Sequence, residues 1–331
     1  MKTYYQNGTC ADCPHFIEAD TSFCVQEIED ALTEQYIYFG DHINYVLDAE
    51  LAMLYDTLME LYFPDKAKYY NEIGSIPNFV QKVGQDSTAH TSSDELTILM
   101  DEFSILIPDL YRHMYLVDCQ FLVGTIQNLL GAMCDNLCNY YVNLSAINLP
   151  LGFNCCDGVM TISSYRSRQV CATIETYFTK AYSILDIICK IAYEFEHPMQ
   201  DFTAYKKMKC ADVLWGARKK LKINKEPGTL FEDCEPLQII EAIRSEVVHN
   251  GTWELNPKVF IAVNDKEIVE RYVLFPDFSQ GWLSAVKNRK HFFSSGVKLN
   301  DILPRIHKEF MERLLATIKY LNANAIAKQC E

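Results

Sequence analysis

Apolar residues recur at helical spacing over much of the chain. The clearest stripe consists of leucines separated by alternating steps of four and three residues: Leu47, Leu51, Leu54, Leu58 and Leu61. Because an α-helix has 3.6 residues per turn, this spacing places these side chains on one face. It predicts an amphipathic helix that buries its leucine face, within a helical region over residues 25–62.

Capping residues and prolines set the limits of the next helices. Ser92 and Glu95 have the spacing of a capping box, which predicts that a helix starts there. Pro108 cannot continue a helix without strain, so this helix is expected to end at about Ile107. A second helix is then expected to run to about Val142.

The second half of the chain continues the helical pattern. Helices are predicted over residues 163–196, 202–221 and 236–251, the last between Pro236 and Gly251, which are favoured at helix starts and ends. A final helix is predicted from residue 301, with a buried stripe formed by Ile302, Ile306, Phe310, Leu314, Ile318 and Leu321.

The period changes once, between the last two helices. Val259, Ile261 and Val263 alternate with other residues, and Asn264-Asp265 is typical of a turn. Residues 259–275 are therefore predicted to form a β-hairpin. The predicted fold is mainly α: an antiparallel helical bundle with an inserted β-hairpin, preceded by an acidic, all-helical N-terminal domain.

Charge and loop residues place a domain boundary near residue 155. The chain of 331 residues has a formal net charge of −14. Residues 1–150 contain 5 Lys and Arg against 22 Asp and Glu, whereas residues 151–331 contain 25 against 22. Pro150, Gly152 and Gly158 lie at this transition. We therefore predict an acidic domain over residues 1–155 and a bundle over residues 156–331.

The sequence predicts a cytoplasmic protein without a membrane partner. The N-terminal residues show no apolar stretch of the kind found in a secretory signal, and the uncharged stretches beside Asp135 contain several polar residues. The 13 cysteines have irregular spacing, which favours reduced thiols over a disulfide framework.

The most informative motif lies at the end of the helix predicted over residues 236–251. Arg244 and His249 form an Arg-x4-His pair, with the polar Ser245 after the arginine and Asn250-Gly251 after the histidine. This motif resembles the R-x4–6-H signature of the HEPN superfamily. The long helix predicted over residues 163–196 is similar to the first helix of such bundles, and the resemblance covers about residues 160–327.

The resemblance implies a metal-independent endoribonuclease of the toxin or antiviral-defence kind, without a cofactor. RNA would be cleaved by attack of its 2′-hydroxyl on the adjacent phosphate. His249 suits proton transfer because the pKa of histidine lies near neutrality, and the helix C-terminus favours its charged form. Arg244 would bind the scissile phosphate. Ser245 shares a helix face with His249, and Asn250 would bind phosphate or cap the helix.

The spacing of the motif raises a geometric question. Residues five apart on an ideal helix are separated by about 140° around its axis, so Arg244 and His249 do not share one face. Either the helix deforms near its end, or the site is composite. The resemblance implies a homodimer in which two motifs face each other, with an antitoxin or regulatory protein as a further partner.

Basic residues of the second half are candidates for RNA binding. Between residues 205 and 225 the net charge is +7, and the proposed RNA-binding residues are Lys206, Lys207, Lys209, Arg218, Lys219, Lys220 and Lys222. A second cluster consists of Lys287, Arg289 and Lys290, with His291 beside them. Aromatic residues near the two basic runs are candidates for base stacking: Tyr205, Trp215, Trp282 and Phe292. The alternative for the first cluster is a solvated helix face that pairs with the acidic half.

Other interpretations remain open at the level of sequence. The alternative to the nuclease is a non-catalytic, HEPN-like nucleotide-binding or dimerisation module, in which Arg244 lies on the surface and His249 only stabilises a helix end. No metal is predicted; Cys10, Cys13, His15 and Cys24 are weak zinc candidates because no second Cys-x2-Cys pair follows. The single Glu-x-x-His of Glu194 and His197 does not suffice for a di-iron site.

Overall fold

The structure is a computed structural model that describes residues 42–149, 157–208 and 221–329, together with four short N-terminal strands. The chain is mainly helical in these ranges. The helices are α1 (His42–Tyr62), α2 (Lys66–Ile73), α3 (Asn78–Lys82), α4 (Ser93–Leu106), α5 (Leu110–Ser145), α6 (Tyr165–Glu196), α7 (Glu235–Asn250) and α8 (Leu299–Gln329). A short 3₁₀ helix covers Lys222–Lys225.

The strands pair in small antiparallel sheets. They are β1 (Lys2–Tyr4), β2 (Cys10–Asp12), β3 (Cys24–Asp30), β4 (Thr33–Phe39), β5 (Gly158–Ile162), β6 (Val259–Asn264), β7 (Glu267–Tyr272), β8 (Phe278–Ser279) and β9 (Trp282–Leu283). Strands β5, β6 and β7 form one sheet in that order, and the other sheets are the pairs β1–β2, β3–β4 and β8–β9.

Most predicted helices are confirmed. In α1, Leu47, Leu51, Leu54 and Leu58 are fully buried, as their spacing predicts. The capping box of α4 is present: the Ser92 side chain accepts from the Glu95 N–H, and the Glu95 carboxylate accepts from the Ser92 N–H. The predicted stripe of α8 is buried from Ile306 to Leu321, while Ile302 is half-buried.

The prediction of helix is wrong for residues 25–30 and 33–39. Residues Cys24–Asp30 and Thr33–Phe39 pair as an antiparallel hairpin, and helix starts only at His42. The second strand contains Tyr36, Ile37 and Tyr38, residue types that fit the pleated surface of a sheet better than a helix. The N-terminal region is therefore not all-helical.

Two further segments differ from the prediction. Residues 202–208 were expected to be helical, but they are irregular, because Asp201 accepts from the N–H and hydroxyl of Thr203 and pairs with Lys206. Gly158–Ile162, expected in a linker, forms β5 and adds a strand to the predicted β6–β7 hairpin. The hairpin itself is confirmed, with Val259, Ile261 and Val263 buried.

The described contacts do not divide the chain near residue 155. One compact unit consists of Met1–Val46, Leu129–Ile184 and Asp233–Leu315. The other consists of Leu47–Asn128, Leu185–Glu232 and Ala316–Glu331. Residues on both sides of position 155 belong to each unit, and the domain boundary near residue 155 stays a prediction.

Within the second unit, one buried carboxylate joins segments that are distant in sequence. The Glu194 side chain of α6 accepts hydrogen bonds from the Tyr62 hydroxyl at 2.7 Å and the Tyr115 hydroxyl at 2.8 Å. The pKa of both tyrosines lies far above the ordinary value, mainly because they are buried and also because the carboxylate lies beside them. Glu194 is thus part of the core.

Within the first unit, Asn300 attaches the start of α8 to its surroundings. Its side-chain oxygen accepts from the Tyr140 hydroxyl at 2.8 Å, and its amide donates to the Arg271 carbonyl at 2.8 Å. These bonds join α8 to α5 and β7. Because Asn300 is buried, they also fix the position of β7 at the edge of the sheet.

Helix α5 is the one helix in the described part of the chain that is long and apolar enough to cross a membrane by length and composition. In its most apolar 18-residue window, 39% of the residues are buried. Core helices of soluble proteins meet the same criterion, so the expectation of a cytoplasmic protein stays a prediction.

Candidate nucleic-acid interface

Helix α7 positions the Arg-x4-His motif and is regular to its last residue. Pro236 lies in its first turn, and its inner face buries Leu237, Ile240 and Ile243. After Asn250, Gly251 adopts a left-handed conformation with φ = 87° and donates its N–H to the Val247 carbonyl. The helix therefore does not deform between Arg244 and His249.

The two motif side chains occupy different surroundings within one chain. The guanidinium carbon of Arg244 lies 4.5 Å from the ring centroid of Tyr182 on α6, and the arginine is half-buried. His249 is exposed to solvent. A regular helix separates residues five apart by about 140°, which agrees with these positions. One copy of the chain does not bring both side chains together.

The supporting residues predicted from the sequence have different roles. The Asn250 amide donates to the Glu246 carboxylate at 2.6 Å, so it is engaged at the helix end. Ser245 is half-buried on the same side as His249. Within the described ranges, no hydrogen bond joins the Ser245 hydroxyl to the His249 ring.

Glu246 is a functional candidate that sequence reasoning missed. Its side chain is buried, and its second oxygen accepts from the Lys290 ammonium at 2.7 Å. A buried carboxylate requires such donors, because an unpaired charge away from water is costly. The available signal was an acidic residue on the otherwise apolar inner face of α7. Its partner, 44 residues away, could not be read from the spacing.

A second missed residue, Glu175, fixes the turn that follows α7. Its carboxylate on α6 accepts from the Thr252 hydroxyl and from the Trp253 N–H at 3.3 Å. The Trp253 side chain is fully buried. Together these contacts hold the C-terminal end of α7, and with it the exposed His249, against α6.

The residues from Gly281 to Lys290, which we call the basic–aromatic segment, run beside α7. At one end, a Cβ added to Gly281 would lie 3.3 Å from the Gln238 side chain, and strand β9 contacts the helix. At the other end, Lys290 binds Glu246. The structure therefore brings the second predicted basic cluster to the motif helix.

Local hydrogen bonds and turns define the shape of this segment. Gln280 and Gly281 both have positive φ, which suits the two-residue turn between β8 and β9. Just before the hairpin, Asp277 accepts from Ser294 and Ser295. Hydrogen bonds from the Ser294 side chain and then from Ser295 hold the pKa of Asp277 far below its usual range.

The first predicted basic cluster is only partly described. Lys206 pairs with Asp201 at 2.8 Å, while Lys207 and Lys222 are exposed; these three belong to the second unit. Four further lysines and arginines of this cluster lie outside the described residues: Lys209, Arg218, Lys219 and Lys220.

The weak zinc candidates stay a prediction. The side chains of Cys10, Cys13, His15 and Cys24 lie outside the described residues. In the part of the chain that is described, no group of three or more His, Cys, Asp or Glu side chains is arranged to bind a metal ion.

Comparison with protein-family models, with curated proteins and with solved structures finds no match for this chain.

Proposed function

We propose that this protein is a metal-independent endoribonuclease of HEPN type, acting as a toxin or in antiviral defence, with Arg244 and His249 as catalytic residues. The observation that supports it best is the exposed His249 at the C-terminal end of α7, together with the segment that carries the exposed cations Lys287 and Arg289 and whose Lys290 binds Glu246, three residues before His249 on that helix. Cations at this position would attract RNA phosphates toward the histidine.

The chemistry assigns each residue a role. The 2′-hydroxyl oxygen attacks the adjacent phosphorus and releases its proton to solvent, while the bond from phosphorus to the 5′ oxygen breaks. His249, at the C-terminal end of α7, acts as the general acid and donates a proton to the leaving 5′ oxygen. Arg244 stabilises the charge on the phosphate. The products are a 2′,3′-cyclic phosphate and a 5′-hydroxyl.

A dimer is part of this proposal because of the geometry of α7. Arg244 and His249 lie about 140° apart on a regular helix, so a single copy would not place both on one phosphate. Two motif helices that face each other across a two-fold axis would place Arg244 of one copy beside His249 of the other.

The first test measures RNA integrity on expression and in vitro. We expect wild type to cleave RNA to ends with 2′,3′-cyclic phosphates, and His249→Ala and Arg244→Ala to lose at least about a hundredfold in rate, the scale of one catalytic proton donor. His197→Ala is a matched control, because His197 is also exposed beside a helix C-terminus. Unchanged cleavage in both motif variants would remove these residues from the mechanism.

A mixing experiment tests the composite site. Arg244→Ala and His249→Ala chains, each inactive alone, are co-expressed with different tags and the mixed dimer is purified. One of the two sites in such a dimer has both residues, so we expect about half of wild-type activity. Separately purified parents must stay inactive. A dimer that remains inactive would show that both residues act within one chain, or that no such site forms.

A second candidate function is a non-catalytic nucleotide-binding or dimerisation module. It is favoured by the position of the Arg244 guanidinium over the Tyr182 ring, since such a cation–π contact stabilises helix packing without any chemistry. Under this alternative, Arg244→Ala lowers the free energy of unfolding, mononucleotides bind, and RNA stays intact. An antitoxin or other regulatory partner is compatible with either function.

A further inference from the structure

The basic–aromatic segment has a defined direction along α7. Its contacts at Gln238 and Glu246 are eight residues apart on the helix, which corresponds to about 12 Å along the axis. Gln238 and His249 are eleven residues apart, so on a 3.6-residue helix they differ by only about 20° around the axis. The segment thus lies on the side of α7 that presents His249, and not on the side of Arg244.

The segment exposes both charge and aromatic surface. Trp282 is 77% exposed and Val286 is 61% exposed. Lys287 and Arg289 are exposed, and neither has an ion-pair partner among the residues that the structure describes. Lys290, in contrast, is neutralised by Glu246. An exposed tryptophan and two unpaired cations within one ten-residue segment have the composition of a surface that binds single-stranded nucleic acid.

We propose that the basic–aromatic segment binds an unpaired stretch of the RNA substrate and leads it along α7 to His249. Trp282 stacks on a base, and Lys287 and Arg289 bind phosphates. This proposal rests on the proposed function, because it assigns the substrate of that site as single-stranded RNA. Stacking on Trp282 requires a base whose face is not covered by neighbouring bases. An unpaired base can present such a face, whereas a base inside a duplex is stacked between its neighbours.

The shape of the segment is set before RNA arrives. At one end of the segment, Gln280 and Gly281 form the turn of the β8–β9 hairpin. At the other end, the Lys290–Glu246 pair attaches the segment to α7. A surface that is already ordered loses little conformational entropy on binding. Each contact with a base or phosphate therefore contributes to affinity.

The test measures binding separately from cleavage. The full chain is titrated into a fluorescently labelled, single-stranded RNA of twelve nucleotides whose 2′-hydroxyls are methylated, so that it cannot be cleaved. We expect Trp282→Ala to weaken binding by about tenfold or more, and Trp282→Phe, which keeps a stacking ring, to retain most of the affinity. Lys287→Ala and Arg289→Ala should each lower the slope of log affinity against log salt by about 0.7, the value for one phosphate contact with a single strand.

Matched controls come from the same compact unit. Tyr165→Ala removes another exposed aromatic ring, and Lys308→Ala removes another exposed cation. Both should bind RNA like wild type. Thermal unfolding of each variant checks that the exposed substitutions leave the fold intact.

Several results would overturn the inference. One is that wild type and Trp282→Ala bind the single-stranded RNA with equal affinity. Another is that wild type binds the single strand and its duplex equally well, and a third is that wild type binds neither. The fate of the proposed function is read independently. If the single strand binds through Trp282 but a cleavable RNA stays intact, the nuclease function fails and the binding site stands. If cleavage requires His249 but the affinity for RNA does not depend on Trp282, the nuclease function stands and the proposed binding site fails.

Discussion

The Glu246 carboxylate is buried, whereas its partner Lys290 is 42% exposed at the side chain. We predict that Lys290→Met, which keeps the apolar stem, lowers the free energy of unfolding by about 2 kcal/mol, because the buried carboxylate loses its charged donor. Lys308→Met is the control, since Lys308 pairs with Glu312 at 3.9 Å on the surface and should change stability by less than about 0.5 kcal/mol.

Urea unfolding at pH 7 measures both variants. Equal, small effects would show that the Lys290–Glu246 pair behaves like an ordinary surface ion pair and does not hold the basic–aromatic segment against α7.

A second residue-scale prediction concerns His113, which is fully buried in the second unit and stacks on Phe63 with ring centroids 4.2 Å apart. Burial lowers its pKa, and the opposing hydrogen bond to Glu72 at 2.9 Å only partly compensates. The folded state therefore binds its proton less readily than the unfolded state, in which histidine has its ordinary pKa of about 6.5.

The sign of the pH dependence follows from this difference. Stability contributed by neutral His113 is present above about pH 6.5 and is lost as the pH falls below it, by at most about 1.4 kcal/mol per pH unit for one proton. The free energy of unfolding should fall less between pH 7.5 and pH 5.5 in His113→Phe than in wild type. His90→Phe, at an exposed position, should retain the wild-type loss. If the free energy of unfolding of His113→Phe falls as much as that of wild type, His113 is not the group that causes the loss of stability at low pH.

At the scale of elements, the end of α7 depends on one backbone conformation. Gly251 has φ = 87°, a region that side chains with a Cβ rarely adopt, and no atom lies within 4 Å of an added Cβ. Gly251→Ala should therefore cost about 1 kcal/mol through backbone strain alone. It should also loosen the turn that Glu175 holds.

Gly131 provides a control of opposite sign. It lies in the interior of α5, likewise with no atom within 4 Å of an added Cβ, but with ordinary helical backbone. Gly131→Ala should stabilise the protein by about 0.5–1 kcal/mol, because alanine is the better helix former. Thermal denaturation of the two variants should shift in opposite directions; a shift in the same direction would contradict the role of φ at Gly251.

At the scale of the whole molecule, neither compact unit is a continuous stretch of chain. Tyr62 and Tyr115 reach Glu194, and the Asn322 amide donates to the Glu50 backbone, all within one unit. We predict that the fragments 1–155 and 156–331 do not fold separately but fold when co-expressed.

Circular dichroism and cooperative thermal unfolding of each purified fragment test this expectation. Fragments that unfold cooperatively on their own would support the domain boundary near residue 155 that the charge pattern predicts.

The sequence by itself determined the features that depend on near neighbours. The leucine stripe of α1, the Ser92–Glu95 capping box, Gly251 at the end of α7 and the β6–β7 hairpin are all local, because helical and strand periods and caps act over a few residues. Even there, residues 24–39 escaped prediction, because acidic and apolar residues without proline suit a helix as well as a hairpin.

Only the tertiary structure decided which distant segments meet. It paired Lys290 with Glu246, placed Glu175 at the turn after α7, and buried Glu194 between two tyrosines. Such contacts have no periodic signature, because they depend on how whole elements pack. The motif residues were predicted from the sequence. Their spacing also predicted a separation of about 140° on an ideal helix. Only the structure decided that α7 stays regular to its end and that the basic–aromatic segment lies on the side of His249.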